Sequence, residues 1–152
     1  MPAPAYVAER LGIAVGEPVV HHERLNLLDG SPVTLRSGWM LGAVGERLAA
    51  HSHEELHDLV LEIIETVLGC PIETAELKIE AVVADSATAG VLGVSPGAPL
   101  VLMERLFRGT DGTPVELSFS RIRADRLVFS TVLRRRAQGS GAWVAASPHT
   151  TP

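Results

Sequence analysis

Arg24, Arg36, Arg105 and Glu116 are the residues of this 152-residue chain whose types and spacing could hold a charged small molecule. Arg24 and Arg36 stand on either side of Asp29-Gly30, a dipeptide that marks a tight hairpin turn. Residues placed almost symmetrically about such a turn face each other across two antiparallel strands. Like charges directly opposed are unfavourable. They persist when water solvates them, when a carboxylate such as Glu116 neutralises them, or when they serve an anion. Guanidinium groups suit the last role because their planar fork matches the oxygens of carboxylate and phosphate. Period-2 alternation puts Arg24, Asn26, Thr34 and Arg36 on one face of the hairpin and Val19, Leu25, Val33, Leu35 and Trp39 on the other. If a second hairpin shares the sheet, the polar face also gathers Arg105, Glu116, Ser118 and Ser120. The competing reading is a solvated polar face whose Arg–Glu pairs are worth little each.

A second hairpin is written into the chain. Residues 11–35 read LGIAVGEPVVHHERLNLLDGSPVTL and residues 92–117 read LGVSPGAPLVLMERLFRGTDGTPVEL. Leu11, Gly12, Gly16, Pro18, Val20, Glu23, Arg24 and Leu25 recur 81 positions later, and Asp29, Gly30, Pro32, Val33 and Leu35 recur 82 positions later. The extra residue falls in the hairpin loop, where insertions are tolerated. The repeat is too long for a solenoid unit. It reads as a duplicated module of short helix, glycine stop, strand, Asp-Gly turn and strand, with its two copies related by a pseudo-twofold axis inside one domain.

Taken in order, residues 5–11 read as a short helix ended by Gly12, Pro18 to Leu27 as a strand, and Val33 to Trp39 as its return. A short helix is expected at 44–50. Ser52 opens the clearest amphipathic helix, with Glu55 in capping-box spacing and Leu56, Leu59, Val60, Ile63, Ile64, Val67 and Leu68 on one stripe. Strands follow at Ile72–Ala84, Pro99–Arg108, Val115–Ile122 and Leu127–Leu133, with a short helix from Asp85 or Ser86 to Leu92. Few helices and hairpin-joined strands predict an α+β domain over residues 1–136, with a mostly antiparallel sheet and flanking helices. Residues 137–152, rich in Gly, Ser and Pro, read as a disordered tail.

Composition narrows the function. A net charge of −5 argues against electrostatic nucleic-acid binding by this polypeptide taken alone, and the single cysteine, Cys70, against a disulfide framework or thiolate metal cluster. No apolar run is long enough to span a membrane, and the first residues lack a secretory h-region, so a cytoplasmic setting is expected. His53 and His57 have a spacing that can hold a metal, yet a surface histidine cluster is the better reading, and no metal or cofactor is expected. His21 and His22 point to opposite faces of a strand and cannot share one ligand. Arg134-Arg135-Arg136 reads as a solvated terminus. No nucleophile–base pair and no phosphate loop is found, so no catalytic residue is assigned.

The motif LG…G.PV…ER……DG.PV, followed by LGV..G.PL…ER.F…DGTPVE.S and by Arg123-Ala124-Asp125-Arg126 and Phe129, resembles the UTRA domain, the effector-sensing half of HutC-type GntR bacterial transcription regulators. The resemblance covers roughly residues 7–133 and implies a chorismate-lyase-like fold. It implies effector-binding roles for Arg24 and Glu116, a homodimer, and DNA binding only through a winged helix that does not stand in this chain. It also implies an opening segment that adds to sheet and pocket in relatives, so the chain is expected to be a fragment, a truncated product or a stand-alone sensor. Sugar-phosphate-sensing members have R-x-R where this chain has Arg24-Leu25-Asn26, and an acid near Arg36. The expected effector is therefore a small organic anion with an apolar part, contacted by Trp39 or Met40. Alternatives are an enzyme of the chorismate-lyase type and a dimerisation or decoy partner of a full-length regulator.

Overall fold

The computed structural model of the chain describes residues 1–42, 45, 65, 69, 71–135 and 143–145. The helices expected at 44–50 and from Ser52 to Leu68 lie outside the described residues, as does the histidine cluster at 51–57. The described elements are helix α1 (Ala5–Leu11), strands β1 (Val19–Leu28), β2 (Ser31–Leu41) and β3 (Ile72–Val83), helix α2 (Ser86–Leu92), and strands β4 (Pro99–Gly109) and β5 (Pro114–Arg123). The five strands form one antiparallel sheet in the order β1-β2-β5-β4-β3. This is the α+β, chorismate-lyase-like arrangement expected from the sequence.

The duplication is visible atom by atom. The hydrogen bonds Ala8 N to Pro4 O, Ile13 N to Ala8 O, Gly16 N to Ala3 O and Ala3 N to Glu17 O recur 81 residues later as Ala89 to Asp85, Val94 to Ala89, Gly97 to Ala84 and Ala84 to Ala98. Gly12 and Gly93 end their helices in the same left-handed conformation, at φ 69° and 64°. The two hairpins meet along β2 and β5, where Ser37 lies opposite Phe119. These two residues are equivalent under the offset of 82, so the pseudo-twofold axis passes through that pair. Pro2 bridges Pro18 as Val83 pairs with Pro99, so the first residues lie along β1 where the end of β3 lies along β4.

Both helices cover one face of the sheet. Val7, Ala8 and Leu11 of α1 pack with Val19, Leu106 and Leu117, and Ala89 and Leu92 of α2 pack with Leu100 and, at the edge, Leu35 and Val82. Short helices of one or two turns are marginal alone, so this burial is what holds them. Between the helices a polar cluster ties α1 to the second half of the chain. Tyr6 Oη donates to Glu104 Oε2 at 2.6 Å, Arg10 Nε donates to Glu104 Oε1 at 2.8 Å, and Arg10 Nη2 reaches Glu76 at 2.8 Å.

The strand expected at Leu127–Leu133 does not form over 127–132. A single 3-10 turn, Ala124–Arg126, follows β5, held where Arg123 donates to both oxygens of Asp125. β5 is already flanked by β2 and β4, and Val128, Phe129 and Val132 are exposed at 91%, 58% and 66%. Apolar spacing without an open strand edge beside it makes no strand. Leu133–Arg135 instead pairs with Trp143–Ala145 as a separate two-stranded ribbon. Those last three residues fall in the segment read as tail, and the rest of 137–152 lies outside the described residues.

Candidate functional site

The register of the sheet arranges the polar residues in rows on the face away from α1 and α2. One row reads Arg24, Arg36, Ser120, Met103 from β1 through β2 and β5 to β4. The next reads His22, Gly38, Ser118, Arg105, and the third Val20, Met40, Glu116, Phe107. Arg24 therefore stands directly opposite Arg36, as the hairpin turn requires. The seven residues singled out in sequence (Arg24, Arg36, Arg105, Glu116, Ser118, Asn26 and Thr34) all share this face. Five of them (Arg24, Arg36, Arg105, Glu116 and Ser118) come together at its centre, whereas Asn26 pairs with Thr34 in an outer row near the turn and is exposed.

The centre of this face is buried, which speaks against the competing reading of a solvated polar surface. Glu116 is 0% exposed, Ser118 1% and Arg36 9%. A carboxylate so placed needs a partner, since an unpaired buried ion is strongly disfavoured. Arg36 Nη2 provides it, 2.7 Å from both Glu116 oxygens and 3.3 Å from Ser118 Oγ. Burial pushes the Glu116 carboxyl upward, and Arg36, Arg105 and Arg24 pull it back. Burial also lowers the Arg105 and Arg24 guanidiniums, with Arg36 adding repulsion and Glu116 opposing it. Both arginines thus approach one central ion pair from opposite strands, as their equivalence in the repeat demands. Arg105 lies over the Phe107 ring at 4.3 Å, a cation–π contact with an apolar neighbour.

Two donors at this centre stay unsatisfied: Arg36 Nε and Arg105 Nε are buried without hydrogen-bond partners among the described residues. Buried donors are nearly always satisfied, so unsatisfied ones at a cationic centre mark a place for acceptor oxygens. Of the two proposed apolar contacts, Met40 lies on this face and is 0% exposed. Trp39 does not. It points to the helix face, stacked 4.6 Å from His21 and edge-on to Phe119 at 5.7 Å.

His22 belongs to this centre and was missed, because it was weighed only for sharing a ligand with His21, which their opposite faces exclude. Its Nε2 stands 3.4 Å from Glu116 Oε1, and its side chain is 23% exposed. Burial, with help from Arg36, lowers it to about 4. Gly38 makes room for the ring: a Cβ there would lie 2.3 Å from His22 Cε1 and 2.9 Å from Glu116 Oε1. We expect Gly38→Ala to displace the imidazole and to destabilise the fold by roughly 1–3 kcal/mol. Thermal unfolding measures the loss, and the His22 ring resonances would move most. No group of metal-ligating residues occurs among the described residues.

Comparison with known proteins agrees with this fold. The UTRA domain family model matches residues 1–127. An HTH-type transcriptional regulator of Mycobacterium tuberculosis is 30% identical over 146 residues, covering 94% of this chain and 52% of its own. The ligand-binding domain of a GntR-family regulator from Bordetella bronchiseptica superimposes with a TM-score of 0.78 at 26% identity, over 88% of this chain and 85% of its own. The effector domain of PhnF from Mycobacterium smegmatis does so with a TM-score of 0.78 at 25% identity, over 88% and 81%. The chain spans about half the length of the curated relatives it matches. These relatives are regulators rather than enzymes, and no helix among the described residues is long and apolar enough to cross a membrane. The chain belongs to the UTRA family, the effector-binding domains of GntR-type transcription regulators.

Proposed function

We propose that this domain binds a small organic anion on the arginine-lined face and that occupancy alters DNA binding by a winged helix carried on a separate domain. The observation that carries the reading is the pair of buried guanidinium Nε donors, on Arg36 and Arg105, that have no hydrogen-bond partner among the described residues. The acid group of the effector would seat on Arg36 and Arg105, with Arg24 at the flank and Ser118 as a further donor. Met40 and Phe107 supply the apolar contact. Thr34 and Asn26 border the site from the outer row. Homodimer formation of HutC type, in the cytoplasm, completes the proposal, since effectors act on such regulators by shifting an equilibrium between quaternary arrangements.

A thermal-shift screen of small carboxylates and phosphate monoesters, followed by calorimetry on those that stabilise, tests this. Arg105→Ala should weaken the bound acid by about tenfold or more, the usual loss when a charged hydrogen bond is removed. Its melting temperature without ligand should change little, because Arg105 makes no ion pair with Glu116 comparable to that of Arg36. Unchanged affinity in Arg105→Ala and Arg24→Ala alike would remove the site from this face.

A further inference from the structure

We propose that His22 is a specificity-determining contact in the effector site, accepting a hydrogen bond from a hydroxyl on the ligand, so that the effector is a hydroxylated acid. This rests on the effector-site reading above and names the ligand class for it. Both ring nitrogens of His22 are buried without hydrogen-bond partners among the described residues. Nε2 faces the Glu116 carboxylate at 3.4 Å, and a negative oxygen beside a neutral imidazole favours the tautomer with the proton on that nitrogen. Nδ1 is then a bare acceptor. No hydrogen-bond donor reaches Nδ1 among the described residues. What it lacks is an O–H or N–H brought by a ligand.

The duplication strengthens the assignment. The equivalent of His22 in the second half is Met103, that of Gly38 is Ser120, that of Arg36 is Ser118 and that of Glu116 is Thr34. The first half of the face presents imidazole and guanidinium, with a glycine that admits the ring, and the Glu116 carboxylate comes from the second half. That second half otherwise presents methionine and small hydroxyls. The ligand is therefore read asymmetrically, with its polar, hydrogen-bonding end at His22 and Arg36. His22 and Arg36 are diagonal neighbours across β1 and β2, on the order of 7 Å apart at their backbones. A hydroxyl a few bonds from an acid group spans that interval.

Calorimetry with matched pairs tests this on the whole chain: malate against succinate, lactate against propionate, and glycerol 3-phosphate against propyl phosphate. The wild type should bind the hydroxylated member of at least one pair about tenfold more tightly than its partner. His22→Phe, which fills the same space, should lose that preference while still binding the unhydroxylated acid. His22→Asn, whose amide oxygen stands near the place of Nδ1, should keep most of it, and His22→Gln should not. Binding without hydroxyl preference, or a preference that survives His22→Phe in a folded protein, overturns the assignment and leaves the anion site standing. No binding by any acid at millimolar concentration overturns both.

Discussion

Replacing Arg36 by alanine is expected to lower the folding free energy by about 3–5 kcal/mol, the usual loss when one partner of a buried ion pair is removed. Glu116 has no exposure to fall back on, and Nη2 of Arg36 is the closest cation to both of its oxygens. Arg105 and Arg24 act on it from further away, so the lower end of that range applies if either swings in. The stranded carboxyl should take up a proton, moving further above its ordinary value of 4.5. A group whose folded pKa is raised stabilises the fold at low pH and loses that contribution as pH rises. The deficit of Arg36→Ala should therefore be largest at neutral pH and shrink towards acid. Urea unfolding at neutral and mildly acidic pH measures both. The double change Arg36→Met with Glu116→Leu should recover most of the loss, because an apolar pair of similar volume removes the stranded charge.

The second large effect is a pH dependence owed to His22. Its folded pKa of about 4 lies below the ordinary 6.5, so the unfolded chain binds a proton there that the folded chain refuses. Stability from this group is complete above pH 6.5 and is lost as pH falls towards 4, by about 3 kcal/mol in all. Glu116 works in the opposite sense, since acid relieves its burial. The contribution of His22 is therefore read as the difference between wild type and His22→Asn across that window. The wild type should lose its advantage over the variant as pH drops. A difference that stays constant with pH would show that His22 is not held neutral by its surroundings.

Much of this fold was legible because the chain repeats itself. The paired positions from Leu11 and Leu92 onwards predicted two equivalent hairpins, and their joining along β2 and β5 brought Arg24 and Arg105 to equivalent places. The opposition of Arg24 and Arg36 followed from the Asp29-Gly30 turn alone. What the alternation of side chains could not show is depth. Arg36, Glu116 and Ser118 alternate like surface residues yet are buried, because alternation along a strand reports which face a side chain takes and not whether that face is covered. Conversely Leu25 and Leu27 look like core and are 41% and 57% exposed on the outer strand. His22 escaped notice because its partners, Gly38 and Glu116, are brought to it by register rather than by proximity in sequence. Trp39 was placed near the ligand by its character, but its parity sends it to the helix face.

The central claim is that an acid binds on the face of Arg36, Gly38, Arg105 and Glu116. Its most direct test is a titration of the 15N-labelled protein with a small hydroxylated acid such as malate or glycerol 3-phosphate, following the backbone amides. The account predicts that amides of Arg36, Gly38, Arg105 and Ser118 shift first and saturate together, while those around Tyr6, Arg10 and Glu104 on the opposite face lag or stay still. Shifts confined to α1 and the Glu104 cluster, with the rows of Arg36 and Gly38 unmoved, would contradict it.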